Sequence, residues 1–283
     1  GSAMAWKDLL VHIDDGKASP GRVAAAIALA RAHAAHLTGL YVVAEPELPG
    51  FLLSEMPAAW HEQTRRQGRE RAERAAARFR EAAARAGLSA DCRIDRGLEG
   101  EISAVVAVHA RYADLVILGQ ADPDEPEPAS RPAPEAVVLG CGRPAIVVPY
   151  IGAGPTIGER VVVAWDAGRE ATRAVNDALP LLTKAKSVIV LSADPRPTAA
   201  GHGAEPGADI ARHLARHGVT VAVEHIEAGD IAVADAILSR LADTGADLLV
   251  MGAYGHSRAR ELLLGGVTRQ VLPQMTVPVL MSH

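Results

Sequence analysis

The 283-residue chain is poor in several residue types, and each shortage excludes something. Lysine occurs only at Lys7, Lys17, Lys184 and Lys186. None of these completes a Gly-x-x-x-x-Gly-Lys-Ser/Thr loop, which excludes that route to nucleotide binding. The two cysteines, Cys92 and Cys141, lie far apart. They form neither a disulfide framework nor a metal-ligand spacing, so a reducing cytosol is the expected compartment. No apolar run approaches the roughly 18 residues that span a bilayer, so no membrane partnership is expected. A basic excess is also missing: the formal net charge is -5, which argues against a dedicated nucleic-acid binder. There is no Gly-x-Ser-x-Gly elbow, and His61-Glu62 lacks the second histidine of a zinc helix. Gly1-Ser2-Ala3 before Met4 reads as the remnant of a cleaved tag, and no signal peptide is expected. Aromatic residues make up only 3%, so the core must be built from Ala, Val, Ile and Leu.

What is present is an internal repeat. The segment Asp8-Leu-Leu-Val-His-Ile-Asp14 is matched by Arg160-Val-Val-Val-Ala-Trp-Asp166. Ala113-Asp114-Leu-Val-Ile-Leu-Gly119 is matched by Ala246-Asp247-Leu-Leu-Val-Met-Gly252, and a closing Pro-containing strand ends each half. Two copies of one unit are therefore expected, 4–150 and 158–283, joined by a Gly/Pro-rich linker. In the second unit, continuous apolar runs at 161–165, 187–191, 220–225, 248–251 and 277–281 alternate with helical patterns. Runs rich in Val and Ile without polar alternation are buried on both faces, as in a parallel sheet. The fold class is therefore α/β, with two tandem doubly wound sheets. A helix over 231–244 carries Ile231, Ala234, Ile237, Leu238 and Leu241 on one stripe, with Asp230 as N-cap and Gly245 as stop.

In an open α/β sheet, ligands bind beyond the carboxyl ends of the strands. One segment there stands out. Gly252 and Gly255 follow a strand, nine residues intervene, and Gly265-Gly266 open a helix expected over 267–272. Glycine lets a backbone approach a phosphate, and a helix N-terminus offers free N–H groups to an anion. Arg258 and Arg260 lie within this loop, and His256 is the only general base placed beside it. The bland alternative is a tight βα connection.

This pattern resembles the universal stress protein family, whose signature is Gly, two residues, Gly, nine residues, Gly, then Ser or Thr. Here Gly266 stands where the hydroxyl residue usually does, with Thr268 two residues on. The resemblance covers essentially the whole chain as a tandem of two family domains. It implies two five-stranded parallel sheets in the order 3-2-1-4-5, and an adenine nucleotide, ATP with or without Mg2+, as cofactor of the second unit. It implies that Asp166 accepts hydrogen bonds from the ribose or adenine side, and that Ala193 and Met251 line the adenine pocket. Gly252, Gly255, Gly265, Gly266 and Val267 would wrap ribose and phosphates, with His256 and Thr268 beside them. The last strands, 145–149 and 277–281, are expected to protect each other in an intramolecular pseudo-dimer, or to pair with a second chain in a homodimer.

The first unit lacks the loop. After Gly119 it runs Gln-Ala-Asp122-Pro-Asp124-Glu125-Pro-Glu127-Pro, acidic and proline-rich, and is read as a degenerate, solvated copy that binds no ATP. It also carries an insertion over 53–86 with eight arginines. Glu62/Arg66, Glu70/Arg74 and Glu81/Arg85 are spaced for i,i+4 pairs, and Ala72, Ala75, Ala76, Phe79, Ala82 and Ala83 form a buried stripe, so a solvated helix face is expected rather than a nucleic-acid helix. His213/His217 and His33/His36 have zinc spacing but no third ligand beside them, and are read as surface or helix-end histidines. The loop over 193–208 follows a strand and could close over a ligand. The functional expectation is a cytosolic, ligand-regulated stress protein. The alternatives are a slow ATPase, or a binding module for a non-nucleotide, apolar ligand.

Overall fold

The structure is a computed structural model that describes residues 5–125, 130–194, 205–254 and 266–283; of Leu53 only the backbone is described. The first unit runs β1 (Asp8–His12), α1 (Ser19–His33), β2 (His36–Glu45), α2 (Gly50–Glu55), α3 (Ala58–Arg85), β3 (Ala90–Leu98), α4 (Ile102–Ala110), β4 (Leu115–Gly119), α5 (Pro134–Cys141) and β5 (Ala145–Val148). The second runs β6 (Arg160–Ala164), α6 (Arg169–Leu182), β7 (Ser187–Ala193), α7 (Ala208–Arg216), β8 (Val221–Ile226), α8 (Val233–Thr244), β9 (Leu248–Gly252), α9 (Val267–Gln274) and β10 (Val279–Ser282).

All ten strands form one sheet, ordered β3-β2-β1-β4-β5-β10-β9-β6-β7-β8. Each unit is parallel throughout and has the order 3-2-1-4-5. The two halves meet where β5 and β10 pair antiparallel, Val147 with Val279 and Ala145 with Met281. Every residue of both strands is buried. Left unpaired, each would present a row of free N–H and C=O groups, so each covers the other's open edge. Gln120, just past β4, fastens the join. Its buried Nε2 donates to the carbonyls of Leu272 (2.8 Å), Pro273 and Met275 in the second unit, and its Oε1 accepts from the Tyr150 N–H.

Strand side chains alternate between two cores, one on each face. Leu9 and Val11 of β1 belong to the core that α1, α3, α6 and α7 cover, whereas Leu10 belongs to the core that α4, α5, α8 and α9 cover. Burying an aliphatic side chain fully is worth about 1.5–3 kcal/mol. Both cores run across the β5–β10 join, so they hold the units together.

Matched carboxylates set the start of each unit. Asp114 accepts from the backbone N–H groups of Lys7 and Asp8, and Asp247 accepts from those of Gly158, Glu159 and Arg160. Local differences from the sequence reading have physical reasons. Asp230 does not cap α8, which starts at Val233 after Ala232, and Ile231 is exposed rather than on the buried stripe. Gly245 does end that helix, at φ 60°, a conformation open to glycine. Helix α3 buries Ala72, Ala75, Ala76, Phe79 and Ala83 as expected. Of its three expected pairs only Glu81–Arg85 forms (3.3 Å) among the described residues; Glu70 approaches Arg66 instead, at 4.0 Å.

Candidate functional site

Strands β6 and β9 are neighbours. The helix after β6 packs on one face of the sheet and the helix after β9 on the other. Their carboxyl ends therefore flank a switch point, where open α/β sheets bind ligands. Asp166 follows β6 by two residues and is exposed. Its Oδ1 accepts from the Gly168 N–H at 2.8 Å, closing an Asx turn around Ala167 at φ 60°. Ala193, expected after its strand, is the last residue of β7 and pairs with Ile226. Met251 is buried in the core on the α8/α9 face. Gly255, His256 and Gly265 lie outside the described residues, as do Arg258 and Arg260 and most of the expected lid.

Gly252 has a packing reason that the sequence reading did not foresee. A Cβ there would strike the backbone of Glu170 and Ala171, where α6 begins directly over the end of β9. Gly266 is the N-cap of α9 with φ -52° and ψ 148°, a conformation open to any residue. That helix extends to Gln274, beyond the expected 272. In its first turn the Arg269 N–H donates to the Gly266 carbonyl (3.0 Å), the N–H groups of Val267 and Thr268 precede the intrahelical ladder, and no acidic side chain stands in that turn. Val267 is half-buried and Thr268 is buried.

The first unit has the same turn but a different filling. Asp14 Oδ1 accepts from the Gly16 N–H at 2.9 Å. Here, however, Asp14 is 4% and Arg22 2% exposed. Arg22 donates through Nη2 to Asp14 Oδ2 (2.7 Å) and through Nε to the His12 carbonyl (2.7 Å). Its guanidinium lies over Gly119, so a Cβ there would collide with it. Burial alone would raise the Asp14 carboxyl, but the Arg22 charge, with the Gly16 N–H, outweighs it and holds the group below the usual carboxylate range. Burial, followed by the Arg22 charge, pushes the His12 imidazole down to about 3. At 3.8 Å from Asp14 it is therefore a neutral neighbour rather than an ion pair.

Eight residues after Asp166, the counterpart of Arg22 is Ala174, fully buried. Aligning the two repeats around their aspartates would have found this difference. Nothing in the sequence marked Ser192, whose hydroxyl is buried at the end of β7 with no partner among the described residues.

The remaining candidates separate. His33 is buried against Trp6 (ring centroids 4.8 Å apart), not on the surface, while His36 faces Asp91 at 3.2 Å. His213 and His217 contact each other edge-on, and no group of three His, Cys, Asp or Glu residues fit to hold a metal occurs among the described residues. The acidic segment is solvated at Ala121, Pro123 and Asp124, as expected, but its flanks are anchored. Glu125 pairs with Lys17 (2.8 Å), Ser130 is buried, and Arg131 donates to the Gln120 carbonyl. No helix among the described residues is long and apolar enough to cross a membrane.

Comparison with known proteins agrees with this architecture. Residues 158–283 match the model of the Universal stress protein family. A universal stress protein of Synechocystis sp. is 50% identical over 46 residues, 16% of this chain and 16% of that protein's length. The crystal structure of a universal stress protein from Archaeoglobus fulgidus superposes with a TM-score of 0.72 at 16% identity, covering 97% of this chain and 95% of that one. A putative universal stress protein from Pseudomonas aeruginosa UCBPP-PA14 gives a TM-score of 0.57 at 18% identity, covering 100% and 95%. The universal stress protein family match lies in the second unit, residues 158–283, and the first unit repeats its fold.

Proposed function

We propose that the second unit binds an adenine nucleotide, ATP, at the carboxyl ends of β6 and β9, and that the protein serves a cytosolic stress response by ligand-dependent regulation rather than turnover. The observation that carries this reading is the contrast between the two aspartates. Asp14 is paired with Arg22, whereas Asp166 is exposed and Ala174, in the arginine's place, offers it no cationic partner. An exposed carboxylate at a strand end can accept from ribose or adenine donors. The N-terminus of α9, free of acidic side chains, suits phosphates. Asp166, Ala193, Gly252, Gly266, Val267 and Thr268 would hold the nucleotide, together with Gly255, His256 and Gly265 of the family signature. Mg2+ would arrive with the phosphates, since it commonly keeps its waters and takes few protein ligands.

The test is an ATP titration of wild type and Asp166→Ala, with a mass spectrum of any ligand released on denaturing protein purified without added nucleotide. Saturable binding lost in the variant supports the reading. An apolar compound in the spectrum, with no ATP binding, would replace it. Turnover of ATP in excess over protein would make the protein a slow ATPase.

A further inference from the structure

We propose that the first unit carries a separate small-molecule site, for a planar aromatic compound with a single negative charge, between α3 and the carboxyl ends of β2 and β3. A cavity of about 690 Å³ opens there, within the size range of small-molecule sites. The two periodicities of its walls explain its lining. On β3, Ile94, Arg96 and Leu98 are two residues apart and share one face of the strand. On α3, Trp60 and Thr64, then Arg65 and Arg69, are four apart and stack along one side of the helix.

The chemistry of this lining selects the ligand. Ile94 is 42% and Leu98 38% exposed, so apolar surface lies open in the cavity. Trp60 adds a rigid aromatic face in a chain that is only 3% aromatic. Of the three tryptophans, Trp6 is buried and Trp165 packs against the core, and Trp60 is the one that lines this cavity. Among the described residues neither Arg65 nor Arg69 has a carboxylate partner, and Arg96 reaches Glu45 only at 3.9 Å. Guanidinium groups bind carboxylates bidentately and stack on aromatic rings. Two carboxylates, Glu45 and Glu73, also line the cavity and offset two of its three guanidinium charges. One positive charge remains. That favours a monoanion such as an aryl carboxylate and disfavours a polyphosphate, which sets this site apart from the one proposed for the second unit.

The experiment is a titration of 2-naphthoate into the full chain, followed by tryptophan fluorescence and calorimetry and repeated with the neutral 2-naphthamide. Naphthoate should bind and quench the fluorescence. Trp60→Ala, and separately the surface pair Arg65→Gln/Arg69→Gln, should each weaken it by about tenfold, as should the amide; about tenfold is 1.4 kcal/mol. Trp60→Phe keeps a ring and should retain most of the binding, which guards against a misfolded alanine variant. Saturating ATP should leave the naphthoate affinity unchanged. The proposal is overturned by no naphthoate binding up to about 1 mM, by unchanged affinity in the arginine variant, by equal binding of the amide, or by displacement with ATP.

Discussion

Arg22 Nη2 sits 2.7 Å from Asp14 Oδ2, with both side chains almost wholly buried at the end of β1. The second unit holds Asp166 in the same turn, but exposed, with Ala174 in the arginine's place. One substitution between the repeats thus separates a buried, ion-paired carboxylate from one left exposed.

Removing either partner of the first-unit pair strands a buried charge. Arg22→Ala should cost about 3–5 kcal/mol, and Asp14→Ala a comparable amount. The double change Asp14→Leu/Arg22→Met should cost much less than the sum of the two. Urea denaturation of the three variants checks this; additive losses would mean that the groups are not coupled.

Gly266→Ser is the change most informative about phosphate contact. The φ of -52° imposes no strain on serine, and the N-cap position accepts it, so the helix should gain a few tenths of a kcal/mol. ATP should bind roughly tenfold tighter if the new hydroxyl donates to a phosphate, at about 1.5 kcal/mol, and adenosine should scarcely change. Comparing ATP with adenosine in Gly266→Ser and Thr268→Val separates a vacated donor position from one already served by Thr268.

Gln120 joins the units by donating to three carbonyls of the second, while its Oε1 accepts from the Tyr150 N–H of its own unit. Gln120→Ala should lose about 1–3 kcal/mol, because buried carbonyls lose their donor. The unfolding transitions of the two units should also draw apart. Scanning calorimetry of the variant beside wild type shows whether one transition becomes two.

His12 and His33 titrate well below a free histidine, at about 3 and about 4, chiefly through burial. The unfolded chain takes up protons near 6.5 while the folded chain does not. Stability is therefore full above pH 6.5 and falls as the pH drops toward these folded values, by up to about 1.4 kcal/mol per pH unit for each group. Denaturation between pH 7 and 5 should show that slope, and His12→Gln should flatten it.

Most of the fold was legible because β-strand and helix periods differ and the chain repeats itself. The strands around Val161–Val163 and Leu248–Met251, the parallel order and the paired closing strands all emerge as expected. The site was only half legible. A glycine spacing marks a place where a Cβ is excluded, but does not say what excludes it; at Gly252 it is the start of α6, and at Gly119 the Arg22 guanidinium. The arginines of α3 are exposed, as the sequence implies; periodicity does not show that Arg65 and Arg69 also border a cavity walled by β3. His33 does end α1, but its burial was not legible, because nothing local announces the Trp6 ring packed against it.

The central claim is one working nucleotide site, in the second unit. Calorimetric titration of ATP into wild type, Asp166→Ala and Asp14→Ala, each confirmed folded, measures it most directly. One ATP should bind per wild-type chain, Asp166→Ala should bind at least about tenfold more weakly, and Asp14→Ala should bind as wild type does. Two ATP per chain, or equal losses in both variants, would contradict it.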